Sequence, residues 1–133
     1  MGIGEATFYD PEQVALMPMG FCYPGVSEKG GDLPPRPECA PLWHDRFRQY
    51  LTSVRLTLLV GLHAQKGYLG NRSSETLTES VRNFERSLPG LLPLPHPSWR
   101  STGWMRRNPW FEAEVAPALR SAVAAALGEQ KRP

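Results

Sequence analysis

The sequence predicts an α/β protein. Three short apolar runs, Val14–Met19, Leu56–Val60 and Leu91–Leu94, are each closed by glycine or proline. Between and after them, apolar residues recur at helical spacing. Strands that alternate with helices imply βαβ crossovers and a parallel sheet covered on both faces. The expected architecture is a three-layer αβα sandwich around a small parallel sheet. At 133 residues, 41% hydrophobic and 21% charged, the chain is expected to form a single globular domain over residues 1–133.

Val14-Ala-Leu-Met-Pro-Met19 reads as a short buried strand ended by Gly20, and Phe21 to Pro41 reads as loop, with Gly25, Gly30, Gly31 and the proline cluster Pro34, Pro35, Pro37 and Pro41. A helix is expected next, Pro41 being tolerated in its first turn. Its apolar residues Trp43, Phe47, Tyr50 and Leu51 fall at i, i+4, i+7 and i+8, a stripe to bury. Leu56–Val60 is the second strand, and a short helix runs from Leu62 to Leu69 before Gly70. Thr76-x-x-Glu79 has the form of a capping box, opening a helix that carries Leu77, Val81, Phe84 and Leu88 on one face. Leu91–Leu94 is the third strand, weakened by Pro93. Asn108-Pro109 has the form of an N-cap followed by proline at N1. The helix it opens buries Phe111, Val115, Leu119, Ala122 and Val123, with a kink near Pro117.

Composition narrows the function. The longest apolar run, Leu56 to Leu62, is far short of the roughly 20 residues that span a bilayer. No basic-then-apolar leader opens the chain, so a cytoplasmic protein without a membrane partner is expected. Net charge is only +2, so affinity for nucleic acid has to come from local clustering. Proline is the compositional outlier, with 14 residues against a usual share of roughly 5%.

In open parallel sheets ligands bind outside the carboxyl ends of the strands. The segment leaving the third strand is the most informative. From Arg86 to Phe111 there are four arginines (Arg86, Arg100, Arg106, Arg107), three tryptophans (Trp99, Trp104, Trp110) and no Asp or Glu. Cations interleaved with aromatics supply phosphate contacts and base-stacking surfaces together. The same residues also suit a solvated face with two tryptophans packing a helix start. Within the stretch lies His96-Pro97-Ser98-Trp99-Arg100. An imidazole just past a strand can donate to charge developing on a bound group, and Ser98 can hold a phosphate. A loop histidine satisfied by a neighbour is the alternative. His44 is expected on a surface helix among charges, and His63 opens a helix. Cys22 and Cys39 lie on loops near the first strand and read as buried hydrophobes, metal ligands or a disulfide.

Four stretches together resemble the uracil-DNA glycosylase superfamily, in its bacterial branch related to the iron–sulfur glycosylases. They are Val14-Ala-Leu-Met-Pro-Met-Gly-Phe-Cys-Tyr-Pro-Gly25, Gly31-Asp-Leu-Pro-Pro-Arg-Pro-Glu-Cys-Ala-Pro-Leu-Trp43, Thr57-Leu-Leu-Val-Gly61 and Leu94-Pro-His-Pro-Ser98. They run in the family's order across nearly the whole chain. The resemblance implies hydrolysis of the N-glycosidic bond of a flipped uracil in DNA repair. His96 matches the histidine that donates to the uracil carbonyl and steadies the departing base as an anion. Ser98 matches the serine that grips a flanking phosphate, and Arg100 stands at the wedge position, with Pro97 and Trp99 beside it. Arg106 and Arg107 join them as DNA contacts. Cys22 and Cys39 match two ligands of the family's four-cysteine iron–sulfur cluster.

The chain also departs from the pattern. The family opens with a Cys-x-x-Cys pair and a first strand, followed by the loop that positions the attacking water. This sequence begins after that stretch, so an N-terminally truncated domain is expected, inactive alone and without a cluster of its own. Pro18 stands near where many members carry an asparagine that reads the uracil edge. In the family's strand order, 2-1-3-4, the Val14 and Leu56 strands would flank the first strand and not pair with each other. Their exposed edges would then invite self-association. A non-catalytic nucleic-acid-binding remnant and a metal-linked interaction module using Cys22 and Cys39 are the alternative functions.

Overall fold

The computed structural model describes residues 1–128. The chain divides into two compact units, one made of Met1–Ala15 with everything from Arg55 onward, the other of Leu16–Val54. None of the described helices is long and apolar enough to cross a membrane.

The first unit contains the sheet. Strands β1 (Thr57–Val60) and β2 (Leu91–Leu94) pair in parallel, with Leu58 opposite Leu92 and Val60 opposite Leu94. Period-two alternation sends Leu58, Leu92 and Leu94 to one face and Leu59 and Pro93 to the other. Leu92 and Leu94 join the main core, while Leu59 and Pro93 are also fully buried, so both faces are covered. The α/β reading therefore holds. Pro93 does not break its strand, for a reason of parity. Thr57 N–H donates to Gly90 O and Gly61 N–H to Leu94 O. On β2, therefore, Leu92 and Leu94 turn their main-chain groups toward β1. Pro93 turns its missing donor to the outer edge, where a ladder loses nothing.

A long crossover joins the strands through α3 (Leu62–Tyr68), α4 (Leu77–Arg82) and two 3₁₀ turns, Gly70–Arg72 and Phe84–Ser87. The capping box forms as expected: Glu79 N–H donates to Thr76 Oγ1 at 3.2 Å, and Thr76 N–H donates to Glu79 Oε2 at 2.7 Å. Val81 and Phe84 enter the core, with Leu77 and Leu88 packed at its margin. After β2 come α5 (Ser101–Arg107), a π-helical turn over Phe111–Val115, and α6 (Ala116–Gly128). Val115, Leu119 and Val123 are buried and Phe111 and Ala122 partly so, as the spacing predicted. The irregularity sits near Pro117, in the π turn just before it, which runs on without a break into α6. Asn108 does not cap this helix; its side chain donates to Trp104 O and accepts from the Trp110 indole.

Val14–Met19 is not a strand. Val14 N–H is held by Asp10 O at 2.9 Å, in the turn that follows α1 (Glu5–Phe8). Leu16 is exposed, and Pro18 removes a donor where a ladder would need one. Among the described residues the sheet has two strands, and no ladder joins Val14–Met19 to β1.

In the second unit α2 (Cys39–Arg48) is the one regular helix, preceded by a tight turn closed between Val26 and Asp32. Two expectations fail here. The stripe of Trp43, Phe47 and Tyr50 is largely exposed, because a unit this small has no second helix to lay over it. Phe47 instead stacks on Phe21, ring centroids 5.0 Å apart. His44 is not on the surface: it is only 5% exposed, its Nε2–H donates to Pro18 O at 3.1 Å, and its ring meets Phe21 edge-on.

One ion-pair network braces the crossover. Arg72 makes a two-pronged contact with Glu75, both arms at 2.9 Å, and donates to Ser87 Oγ at 2.7 Å. Ser80 and Arg86 add contacts to the same carboxylate. The hydrogen bonds from Arg72 hold the Glu75 carboxyl below its ordinary value, with smaller help from Ser80 and the Arg86 charge, against partial burial. A depressed carboxyl contributes stability that is present above its unfolded pKa and is lost as pH falls through its folded pKa. The melting temperature should therefore fall as pH is lowered from about 6 to about 3. Glu75→Gln should be less stable at neutral pH and show a shallower fall, as thermal unfolding followed by circular dichroism would reveal; parallel curves would deny Glu75 this role.

Candidate nucleic-acid interface

The carboxyl ends of β1 and β2 lie side by side, and the candidate residues leave from there. Gly61 follows β1 with φ near 87°, a left-handed conformation that favours glycine. It is buried beneath His96, whose Cβ would lie 3.6 Å from a methyl group added to Gly61. His96 itself is exposed. A dense set of hydrogen bonds fixes the loop. The His96 carbonyl accepts from Ser98 N–H at 2.9 Å and from the Ser101 hydroxyl. Ser101 N–H donates to Ser98 O and Thr102 N–H to Trp99 O, leading into α5.

Gln65 anchors this end of the sheet and was not singled out from the sequence. Its side chain is 1% exposed, and Nε2 donates to Leu94 O at 2.9 Å with Leu59 O at 3.5 Å. The amide can take only this orientation, because the reverse would press Oε1 against two carbonyl oxygens. Oε1 is buried and has no hydrogen-bond partner among the described residues. Leu94 is two residues before His96, so Gln65 ties the root of the candidate loop to α3. No motif marks a glutamine for such a place; its position one turn into the helix after β1 is the only signal.

The basic and aromatic stretch separates into distinct tasks. Arg86 belongs to the Glu75 network. Trp104 and Trp110 are packing residues: they meet edge-to-face at 5.6 Å, and the Trp104 indole N–H donates to Thr78 Oγ1. Arg82 lies 4.7 Å over the Trp110 ring. What remains outward is Pro97, Trp99, Arg100, Arg106 and Arg107, all exposed, with Ser98 half-buried among them. The Arg100 guanidinium sits 5.4 Å from the centre of the Trp99 ring. Arg106 and Arg107 close α5, where cations also complement the helix dipole.

Cys22 and Cys39 lie in the other unit. Both are free thiols, Cys22 exposed and Cys39 buried, and both line one cavity with Gly20, Arg36, Leu42 and Trp43. Phe21 N–H donates to Cys39 Sγ at 3.2 Å. A four-iron cluster takes four cysteine thiolates. No group of three His, Cys, Asp or Glu suited to a metal occurs among the described residues. The residues present therefore do not make up a cluster site.

The sequence model of the Uracil DNA glycosylase superfamily matches residues 1–120. The chain belongs to this superfamily. As a member of the uracil-DNA glycosylase superfamily it is expected to meet DNA. The match takes in both strands, the His96 loop and α5, the last two of which carry Arg100, Arg106 and Arg107.

The role of Gln65 is measurable by urea unfolding. Gln65→Met removes the hydrogen bonds and the unpartnered oxygen together and should cost about 1 kcal/mol. Gln65→Glu keeps the shape but sets a carboxyl against two carbonyls, and should cost roughly 3 kcal/mol. Equal losses in the two variants would show that the amide does not hold the strand ends.

Proposed function

We propose that this protein is a uracil-DNA glycosylase-like DNA-repair protein, of the branch related to the iron–sulfur glycosylases, that engages DNA through the His96–Arg100 loop. The observation that carries this reading is the placement of His96-Pro97-Ser98-Trp99-Arg100 at the carboxyl ends of both strands, held by its own hydrogen bonds and facing solvent. In this reading His96 donates to the carbonyl of an extruded base and stabilises charge on it as the glycosidic bond breaks. Ser98 holds a flanking phosphate, and Arg100 enters the space that the base has left. Extrusion costs a few kcal/mol of unstacking, offset by such contacts. The two free thiols suit a cytoplasmic setting.

The reading extends to turnover. The carboxyls held below their ordinary values, Asp10, Glu75 and Glu79, serve respectively a turn, the Arg72 network and the α4 cap. The second reading is a DNA-binding protein that does not by itself activate water. Binding to a uracil-containing single strand should weaken on Arg100→Ala and Arg106→Ala, and the slope of log K against log salt should flatten by about 0.7 for each. Unchanged binding in both variants at low salt would remove the loop from the interface. No uracil should be released by the chain alone, whereas release abolished by His96→Ala would establish it as a complete enzyme.

Cys22 and Cys39 are read as two ligands of a four-cysteine set. On that reading the chain alone should purify colourless and iron-poor, and stoichiometric iron in the monomer would overturn the assignment.

A further inference from the structure

Trp99 differs from the other tryptophan of its loop-and-helix segment, Trp104, and from Trp110. Those two are half-buried and packed on each other, whereas Trp99 is 81% exposed. Exposed indole is unfavourable in water, and nothing in the local fold requires it here. Nor is its backbone free to wander. The Trp99 carbonyl accepts from Thr102 N–H at 3.2 Å, and the residues on either side are tied by Ser98 N–H to His96 O and Ser101 N–H to Ser98 O. The Arg100 guanidinium lies 5.4 Å from the ring centre, within the range of a cation–π contact, and so covers one face. The ring therefore offers a single open face, backed by a cation, in a stretch from Arg86 to Phe111 that contains no carboxylate.

We propose that Trp99 is a stacking platform for an unpaired nucleobase next to the one held at His96. The base lies on the face opposite Arg100, giving a layered arrangement of guanidinium, indole and base. Every base has a π-face, so such a platform is indifferent to sequence and selects for bases freed from pairing. It confers a preference for single-stranded or locally opened DNA over closed duplex, where no base face is available. The inference rests on the reading that this loop engages DNA and goes beyond it, because phosphate contacts alone would accept base-bearing and base-free strands alike.

The test compares two short single strands of equal length and charge, one of thymidine and one of abasic sugar-phosphate, together with a duplex. Binding is measured by fluorescence anisotropy at low salt. Stacking is worth about a tenfold change in affinity or more per base. Trp99→Ala should therefore lose at least about tenfold on the thymidine strand and nothing on the abasic strand. Trp99→Phe, which keeps an aromatic face, should recover most of the loss. Because Trp99 is exposed, the unfolding midpoints of the three proteins should coincide. If Trp99→Ala binds both strands as the native chain does while Arg106→Ala weakens both, the loop meets DNA through phosphates only and the platform is refuted. If the native chain binds none of the three nucleic acids, the DNA reading itself falls, and the platform with it.

Discussion

Two carbonyl groups, those of Leu59 and Leu94, stand at the point on which the candidate site depends. Leu94 O accepts from Gly61 N–H along the sheet and from Gln65 Nε2 out of it, so β1, β2 and α3 converge on one oxygen. The arrangement is reached by local means. Gly61 turns the chain sharply out of β1 in a backbone conformation that side chains resist, and one helical turn later Gln65 is carried back over the strand ends. The His96 loop begins two residues beyond that oxygen. A loop that must present an imidazole at a fixed place gains from such a root, because its own turn hydrogen bonds fix its shape but not its position.

Both observed strands were legible, because short apolar runs closed by glycine or proline leave few alternatives. The α4 cap was legible because a capping box is a local device whose parts lie three residues apart. Val14–Met19 carries the same cue and misled. It has the composition of a buried strand, yet Pro18 lacks a donor and a turn from Asp10 holds Val14. The stripe on α2 misled because periodicity reports which residues share a face and not whether anything packs on it. Helix α5 escaped notice because Gly103 and the hydroxyl residues at its start lower its propensity; the docking of Trp104 on Thr78 supplies what local preference does not. Gln65 was invisible since its task is defined by two carbonyls, one 29 residues away along the chain.

The candidate site was partly readable for a related reason. The His-Pro-Ser-Trp-Arg run was recognisable as a string, but the string did not say which of its neighbours belong to it. Packing made that division. Trp104 and Trp110 are drawn to the core margin; Arg86 and Arg82, exposed themselves, are tied to Glu75 and to the Trp110 ring; Trp99, Arg100, Arg106 and Arg107 face outward. A stretch that looks uniformly basic and aromatic in one dimension is thus sorted in three dimensions into a bracing set and a presenting set. The sorting is physical: each residue of the bracing set has a partner with complementary charge, hydrogen-bonding capacity or ring edge.

Pro93 gives the sheet a direction. Its ring occupies the outer register of β2, so a newcomer strand approaching that side would find an acceptor with no matching donor at mid-strand. On β1 the outward positions belong to Leu58 and Val60, both with intact amides. The two borders of the same small sheet are therefore chemically unlike, one a finished margin and the other a seam. On the β2 side Leu92, Pro93 and Leu94 are themselves buried, so that border is covered by the fold as well as short of a donor.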